Sequence, residues 1–244
     1  MSVVVFELKG PMAHFRRPDT IGAHASYPFI PRTTLRGLIA AILGLRQPLD
    51  QDPLPLEARC GLKLLAAPRT VSQQLSFHGK KWIGAGSNDA FNRPTTVEIV
   101  VDPHYRVYYQ GPLADDLAEK IDKKQSVFHT YLGAAYCLTF PQWGETGGVK
   151  NSKPIDDSEI MIKCSTVVPA AAIARLETET DRSYARVGGF VREHIGGRRF
   201  RGVVSVLYET SGEPIRIERK PDPIDPDCRF VAVQDENEGY VCLW

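Results

Sequence analysis

Alternating apolar and polar residues predict that the chain begins in a β-sheet. Apolar side chains recur at every second position over residues 3–9, which is the period of a strand with one buried face. After a long connection, apolar residues recur at helical spacing over residues 35–43. Thr33 or Thr34 can cap the start of this helix, and Gly44 suits its end, because a glycine adopts the left-handed conformation at little cost.

Four more elements are predicted before residue 141. Residues 97–101 and 105–109 alternate on either side of Asp102-Pro103, which predicts a hairpin with its turn at the proline. An extended segment, a second helix and a last strand are expected over residues 62–78, 112–124 and 135–140. The order strand, helix, strand, strand, helix, strand predicts an α+β fold, namely the ferredoxin-like (RRM-like) βαββαβ domain with a four-stranded antiparallel sheet.

The rest of the chain is expected to lie outside this simple plan. Glycines and polar residues within 79–93 favour a projecting hairpin or loop, so we predict a thumb over about 76–94. Past Pro141 the pattern changes to short strand candidates without helices. A length of 244 residues suits one domain with a small addition. We therefore predict a ferredoxin-like domain over residues 1–143 and a β-rich appendage over residues 144–244.

The composition is that of an ordinary globular protein, with 43% hydrophobic and 24% charged residues. It excludes a disordered chain, a collagen and a bare disulfide scaffold. The longest uninterrupted apolar run, residues 37–45, is far shorter than the roughly 20 residues that span a bilayer, and no leader pattern opens the chain. We expect a soluble, cytoplasmic protein that makes no contact with a membrane.

Charge is distributed unevenly along the chain, although its net value is only +1. Residues 221–244 contain six carboxylates and a single arginine, so the remainder is net basic. This predicts a body that faces a polyanion and an acidic end that faces elsewhere. The five cysteines have neither a CxxC nor a zinc-site spacing, so we expect buried free thiols, no metal site and no cofactor.

The candidate binding residues are cations in predicted loops. The strand over 97–101 lacks the aromatic pair that stacks RNA bases on many ferredoxin-like sheets, so we do not expect bases on the sheet. Guanidinium groups match phosphate oxygens, and the start of a helix presents free amides to anions. The basic clusters are Arg16-Arg17, Arg32 with Arg36, Lys80-Lys81 and Arg198-Arg199.

Several motifs, in order along the chain, resemble the N-terminal signature of one known family. It is the CRISPR-associated Cas-five family of the RAMP superfamily, and the resemblance covers roughly residues 3–140 well and the remainder weakly. The motifs are residues 6–18 (FELKGPMAHFRRP), Tyr27-Pro28, 31–38 (PRTTLRGL), 93–98 (RPTTVE), 103–108 (PHYRVY), Tyr131-Leu132-Gly133 and, more loosely, 165–169 (STVVP).

This resemblance implies a subunit at the foot of the type I surveillance complex called Cascade. Such a subunit grips the 5′ handle of the CRISPR guide RNA (crRNA) and contacts the backbone subunit and the large subunit. It meets target DNA only indirectly, because the guide reads the target by base pairing. We expect Tyr27 to stack a handle base or, alternatively, to pack inside the protein with its hydroxyl satisfied. The predicted RNA-binding residues are Arg16, Arg17, Tyr27, Arg32, Thr33, Arg36, His78, Lys80, Lys81 and Arg93.

One branch of the family cuts precursor crRNA without a metal, using a tyrosine near the end of the first helix and a Lys-His pair ahead of the second. This sequence departs from that branch, because the corresponding stretches are Ile42-Leu43-Gly44 and Gln110-Gly111-Pro112. We therefore expect no catalytic residue. Two alternatives stay open: a metal-independent endoribonuclease in which His78 or His14 supplies the imidazole, and a protein scaffold that binds no RNA.

Overall fold

The protein is built mainly of β-strands. The computed structural model describes residues 1–20, 22–45, 54–79, 91–196, 199–220 and 228–244. The elements of the first half are β1 (Ser2–Lys9), β2 (Met12–Ala13), α1 (Arg32–Leu43), β3 (Arg59–Leu64), β4 (Arg69–Gly79), β5 (Phe91–Val101), β6 (His104–Gln110) and α2 (Ala114–Asp122). Those of the second half are β7 (Gly148–Pro154), β8 (Met161–Cys164), β9 (Val168–Pro169), a 3₁₀ helix (Ala170–Ala172), β10 (Ile173–Glu177), β11 (Tyr184–His194), β12 (Phe200–Glu209), β13 (Ile215–Arg219), β14 (Arg229–Val233) and β15 (Val241–Leu243).

A six-stranded antiparallel sheet forms the centre of the protein, in the order β15-β14-β7-β1-β6-β3. Alternate residues of β1 point to opposite faces of this sheet. Val4, Phe6 and Leu8 are fully buried on the face that packs against the apolar sides of α1 and α2. These three residues of the segment predicted as a strand over residues 3–9 thus belong to the main core.

The two edges of this sheet meet. Trp244, directly after β15, exchanges two backbone hydrogen bonds with Cys60 of β3, with N···O distances of 3.1 and 3.3 Å. The sheet therefore curls around a second apolar core on the face turned away from the helices. Among the described residues β1, β3 and β6 are largely buried on both faces, whereas β7 leaves Val149, Asn151 and Lys153 exposed. The second core consists of Val3, Val5, Tyr108, Val231, Val233, Val241 and Leu243.

A cluster of charged residues is buried beside the second core. Lys63 of β3 lies 3.3 Å from Glu236 and 2.6 Å from Glu238, and its side chain is 4% exposed. Arg106 of β6 lies between Glu7, at 3.3 Å, and Glu236, at 3.6 Å. Glu236 and Glu238 thus pair with the basic residues of the protein's own sheet. For these two carboxylates the prediction of an acidic end that faces elsewhere is wrong, whereas Asp222, Asp225 and Asp227 lie outside the described residues.

Gly61 allows β15 to lie against β3. A Cβ at this position would be 2.8 Å from the carbonyl oxygen of Cys242, and the backbone cannot move aside as a flexible side chain can. Gly61→Ala should therefore lower the free energy of unfolding by about 2 kcal/mol. Gly37→Ala on α1 is the matched control, because apart from its chain neighbours and the helix's own backbone no described atom lies within 4 Å of its Cβ position, and alanine should stabilise the helix by about 1 kcal/mol. Urea denaturation measures both, and an unchanged midpoint for Gly61→Ala would contradict the closed sheet.

Both predicted helices are present. α1 begins at Arg32, so its N-cap is Pro31, and neither Thr33 nor Thr34 makes the predicted capping hydrogen bond. Gly44 ends the helix in the left-handed conformation, with a φ of 76°, as predicted. The second predicted helix is α2. All five cysteine side chains are buried, as expected, and no described helix is long and apolar enough to cross a membrane.

Two strand predictions were wrong. Residues 135–140 form no strand, and the strand that pairs with the free side of β1 is β7. The expected hairpin around Pro103 does not form, because β5 pairs with β2 and β4 whereas β6 pairs with β1 and β3. Asp102, with a φ of 47°, turns the chain from one sheet into another. A period of two identifies a strand, but the partner depends on distant segments.

β4 and β5 form a long hairpin of their own. All eleven residues of β4 are in register with β5, from the Arg69–Val101 pair to the Gly79–Phe91 pair. The thumb predicted over about 76–94 therefore includes the far end of this hairpin, and residues 80–90 lie outside the described part of the chain.

The C-terminal half shares the core of the N-terminal half. β7, β14 and β15 belong to the central sheet. The main core joins Leu35 of α1 with Val206 of β12 and Ile217 of β13, which lie in two further three-stranded sheets, β11-β12-β9 and β10-β13-β8. The boundary predicted between residues 143 and 144 stays a prediction, and residues on both sides of it contribute to one core.

Candidate nucleic-acid interface

A surface cleft of about 290 Å³ opens where four segments of the N-terminal half meet. This volume is near the lower limit of ordinary ligand sites. The segments are the loop after β2, the first turn of α1, strand β4 and the loop after α2. We call the site the Arg16 cleft and define it by the lining residues His14, Arg16, His24, Thr34, Phe77 and Tyr136.

The loop after β2 folds back on itself and is held by β5. Arg16 and Ser26 face each other as an antiparallel pair within this loop. The N–H of His24 donates to the carbonyl oxygen of Thr96 at 2.8 Å, and its own carbonyl accepts from the N–H of Glu98 at 3.0 Å. Strand-like pairing buries alternate residues, so Arg16 points outward and is exposed.

Aromatic rings form one wall of the cleft. The rings of His14 and His24 are stacked, with centroids 6.3 Å apart, and His24 lies 5.6 Å from Phe77. Nδ1 of His14 is 2.8 Å from the carbonyl oxygen of Glu98. Because a carbonyl only accepts, Nδ1 carries a proton there, and this hydrogen bond fixes the orientation of the His14 ring.

The loop after α2 completes the cleft through close backbone contact. The N–H of His14 donates to the carbonyl oxygen of Leu132 at 3.1 Å. Gly133 has a φ of 86°, and a Cβ there would lie 2.1 Å from the carbonyl oxygen of His14, so both conformation and space require glycine. Tyr136 follows on this loop and is 50% exposed. Partial burial raises the pKa of its hydroxyl above the usual value.

Positive charge enters the cleft from two sources. Arg16 forms no ion pair with any residue in the described part of the chain. The first turn of α1 contributes Thr34 to the lining, contains no acidic residue and has no capping side chain. The free amides at the start of a helix carry partial positive charge. The cleft therefore combines an accessible guanidinium, a helix start and aromatic faces.

A family model described as CRISPR-associated protein (Cas_Cas5) matches residues 3–159, which include every residue that defines the Arg16 cleft. The chain belongs to the Cas5 family. This confirms the family that the sequence motifs indicated. No curated protein has a significant sequence match.

Solved structures share the fold of this Cas5 protein. One, described as a CRISPR RNA-guided surveillance complex, has a TM-score of 0.55 at 14% identity and covers 88% of this chain and 91% of that chain. A CRISPR protein from Archaeoglobus fulgidus has a TM-score of 0.53 at 10% identity, over 99% of both chains. A third, described as a Cas protein, has a TM-score of 0.50 at 16% identity, over 90% and 100%. At these identities the likeness concerns the fold.

Arg17 and Tyr27 of this Cas5 protein make internal contacts. Arg17 binds both carboxylate oxygens of Asp19, at 2.7 and 3.1 Å, and this hydrogen bonding holds the pKa of Asp19 below its usual value. Tyr27 is 3% exposed, stacks on Phe190 at 4.3 Å and donates its hydroxyl to the carbonyl of Gly189. A base cannot reach a ring that is buried in this way. The packed alternative for Tyr27 therefore holds, and the predicted base stacking does not.

The side-chain cluster predicted at the start of α1, Arg32 with Thr33 and Arg36, is not assembled. Arg36 is 2% exposed, and its guanidinium donates to the carbonyl oxygens of Ala58, Leu54 and Pro55 at 2.6, 3.0 and 3.0 Å. A phosphate has no access to this group. We correct the prediction for Arg36 to a structural role, in which it holds the segment before β3 against α1.

Arg32 and Thr33 also do not line the Arg16 cleft. Arg32 donates to the carbonyl oxygen of Arg192 at 2.9 Å, and its guanidinium carbon lies 6.0 Å from the centre of the Trp244 ring. It therefore joins α1 to the C-terminal half. Thr33 is half-buried in the first turn of α1 and does not line the cleft.

The other predicted residues belong to the hairpin. His78 and Arg93 occupy positions near the far ends of β4 and β5, where Arg93 faces Phe77. Their side chains lie outside the described part of the structure, as do residues Lys80 and Lys81. Their predicted contacts with RNA remain predictions.

Sequence patterns do not indicate three residues of the Arg16 cleft, namely His24, Phe77 and Tyr136. Tyr136 falls in the strand predicted over residues 135–140, which does not form. His24 falls in the long connection before α1, and Phe77 in the extended segment predicted over residues 62–78. The three residues share an aromatic ring in or beside a loop. This feature does not identify them as one site in the sequence, because they come together only through tertiary contacts.

Proposed function

We propose that this Cas5 protein is a non-catalytic RNA-binding subunit of a type I CRISPR surveillance complex, Cascade. It would act in the cytoplasm, hold the 5′ handle of the crRNA, and contact the backbone and large subunits. The observation that carries the proposal is the Arg16 cleft, where an exposed guanidinium lies beside a helix start and aromatic rings. Guanidinium and free amides bind phosphate, and aromatic rings bind unpaired bases.

We further infer that the centre of the protein is a ferredoxin-like (RRM-like) unit with an inserted thumb. The chain order β1, α1, β3, β6, α2, β7 gives two split βαβ units. In the sheet these four strands run β7-β1-β6-β3, so the first and third strands lie side by side in the middle. The hairpin β4-β5 is inserted between the second and third strands and would form the thumb.

An endoribonuclease is the second candidate, and one observation favours it. His14 and His24 place two imidazoles in the cleft next to Arg16, and imidazoles serve as general acids and bases. Incubating the purified full-length protein with repeat RNA in EDTA separates the two functions. Uncut RNA agrees with a binding subunit, whereas accumulating product would establish a metal-independent nuclease.

Reversing the charge of Arg16 should weaken RNA binding by about tenfold or more, because a charge-assisted contact to phosphate is replaced by repulsion. We would measure the affinity of the full-length protein for repeat-derived single-stranded RNA by fluorescence anisotropy at several salt concentrations. Wild-type affinity should fall steeply with salt. Arg16→Glu should also carry less crRNA when purified from cells that express a CRISPR array.

Arg175→Glu is the matched control, since it makes the same charge change at an exposed arginine of β10, outside the cleft. It should bind RNA as the wild type does. RNA binding by Arg16→Glu at wild-type strength would refute the assignment of the cleft. Wild-type protein without any salt-sensitive RNA binding would support the RNA-independent scaffold instead.

A further inference from the structure

The loop after α2 presents Tyr136 rigidly. The N–H of Leu132 donates to the carbonyl oxygen of Cys137 at 2.7 Å, and the hydroxyl of Thr130 donates to the carbonyl oxygen of Thr139 at 2.6 Å. Leu132 is fully buried beneath these contacts. A tyrosine on such a loop has only its own two side-chain torsions to lose, so a ligand that stacks on its ring meets a low entropic cost.

Tyr136 is placed differently from the other exposed apolar residues of its segment. Phe128, Tyr131, Leu138 and Phe140 are 43 to 74% exposed and do not line the Arg16 cleft. Tyr136 does line it, together with Arg16 and the wall of His14, His24 and Phe77. The residue is half exposed and lies in a concave site that also contains an accessible cation.

This combination fits one chemical class of ligand. The faces of aromatic rings stack on the faces of unpaired bases, whatever the base, and an adjacent guanidinium binds the phosphate. A base in a duplex already has both faces covered by its neighbours, so a stacking site of this kind selects a base that is out of the stack. The cleft, at about 290 Å³, is too small for a duplex.

We propose that the Arg16 cleft takes a single unpaired nucleotide, with its base stacked on Tyr136 and its phosphate bound to Arg16. The inference rests on the proposed RNA-binding function and adds to it a division of labour between two residues. Tyr136 supplies affinity without charge, whereas Arg16 supplies the salt-dependent part. The stacking tyrosine is thus Tyr136 and not the buried Tyr27.

Removing the ring tests the proposal. With full-length protein and a short labelled oligouridylate as probe, Tyr136→Ala should weaken binding by about 5- to 150-fold, the range expected for the loss of one stacked base. It should leave the dependence of affinity on salt unchanged. Arg16→Ala should reduce the slope of log affinity against log salt by about 1. Tyr136→Phe should bind as the wild type does, because stacking does not use the hydroxyl.

Phe140→Ala is the control for a general effect of apolar surface, since Phe140 is 74% exposed and lies outside the cleft. It should bind RNA normally. Circular dichroism and the melting temperature establish that each variant is folded. If Tyr136→Ala melts early, Tyr136→Leu provides the second variant, because it retains apolar bulk in the loop but has no π face.

A double-mutant cycle between protein and RNA identifies the stacked base. In a set of oligouridylates that each carry one abasic position, one position should weaken wild-type binding as much as Tyr136→Ala does. On that RNA, Tyr136→Ala should cause no further loss, since the two changes remove the same contact. Wild-type affinity in Tyr136→Ala, or additive losses in the cycle at every position, would overturn the stacking proposal alone. Failure of the wild-type protein to bind RNA would overturn the proposed function.

Discussion

Replacing Arg36 by methionine should lower the free energy of unfolding by about 3 to 5 kcal/mol. The guanidinium is buried and satisfies the carbonyl oxygens of Leu54, Pro55 and Ala58. Methionine fills much of the same volume but donates nothing, so two buried acceptors and one partly buried acceptor lose a charged donor at once. Each loss costs about 1 kcal/mol or more.

Arg16→Met makes the matched comparison, because Arg16 belongs to the same predicted set of RNA-binding arginines but is exposed. Its unfolding free energy should stay within about 0.5 kcal/mol of the wild type, while its affinity for RNA falls. Urea denaturation followed by circular dichroism measures both variants. If Arg36→Met were as stable as the wild type but bound RNA poorly, the assignments of the two arginines would have to be exchanged.

Lys63→Met should destabilise the protein by about 3 kcal/mol, because it leaves a buried carboxylate without its nearest ammonium. Lys63 Nζ lies 3.3 Å from Glu236, whose side chain is 7% exposed. Among the described side chains, Glu236 would retain Arg106, at 3.6 Å, and the hydroxyl of Tyr108. These contacts hold the segment before β15 against the sheet. Lys63→Met should therefore lower both the midpoint and the cooperativity of the urea unfolding transition.

The double variant Lys63→Met/Glu236→Met distinguishes an ionic effect from a packing effect. Removing both charges of a buried pair is often close to neutral, so part of the stability lost in Lys63→Met should return. Urea denaturation of the two single variants and the double variant completes the cycle. A double variant that loses the full sum of the single effects would show that side-chain packing, and not the ion pair, stabilises this cluster.

The elements that sequence patterns predicted well are those that local physics determines. The spacing of apolar residues over 35–43 and the acidic first turn of α2 favour helix before any distant residue is in place. The alternation over residues 3–9 correctly predicts strand β1, although residues 3–8 are all buried because protein covers both faces of the strand. The family motifs are also local, and they identified the Cas5 family over the residues that the family model matches.

Strand pairing is harder to predict from the sequence, and the hairpin expected around Pro103 shows why. The strands on both sides of the proline exist, but β5 joins the long hairpin with β4 whereas β6 enters the central sheet between β1 and β3. Alternation reports only that one side of a strand is buried. It does not report which surface buries it, because that surface is supplied by residues far away in the chain.

For the candidate site, the sequence by itself determined the kind of chemistry, namely arginines and a helix start suited to phosphate. Only the tertiary structure decided which residues reach solvent. Arg36 is enclosed by the carbonyls of residues 54–58, and Tyr27 by Phe190 of β11, whereas Arg16 and Tyr136 remain open. The physical reason is that propensity and charge belong to a residue and its neighbours, but exposure depends on which remote segment folds over it.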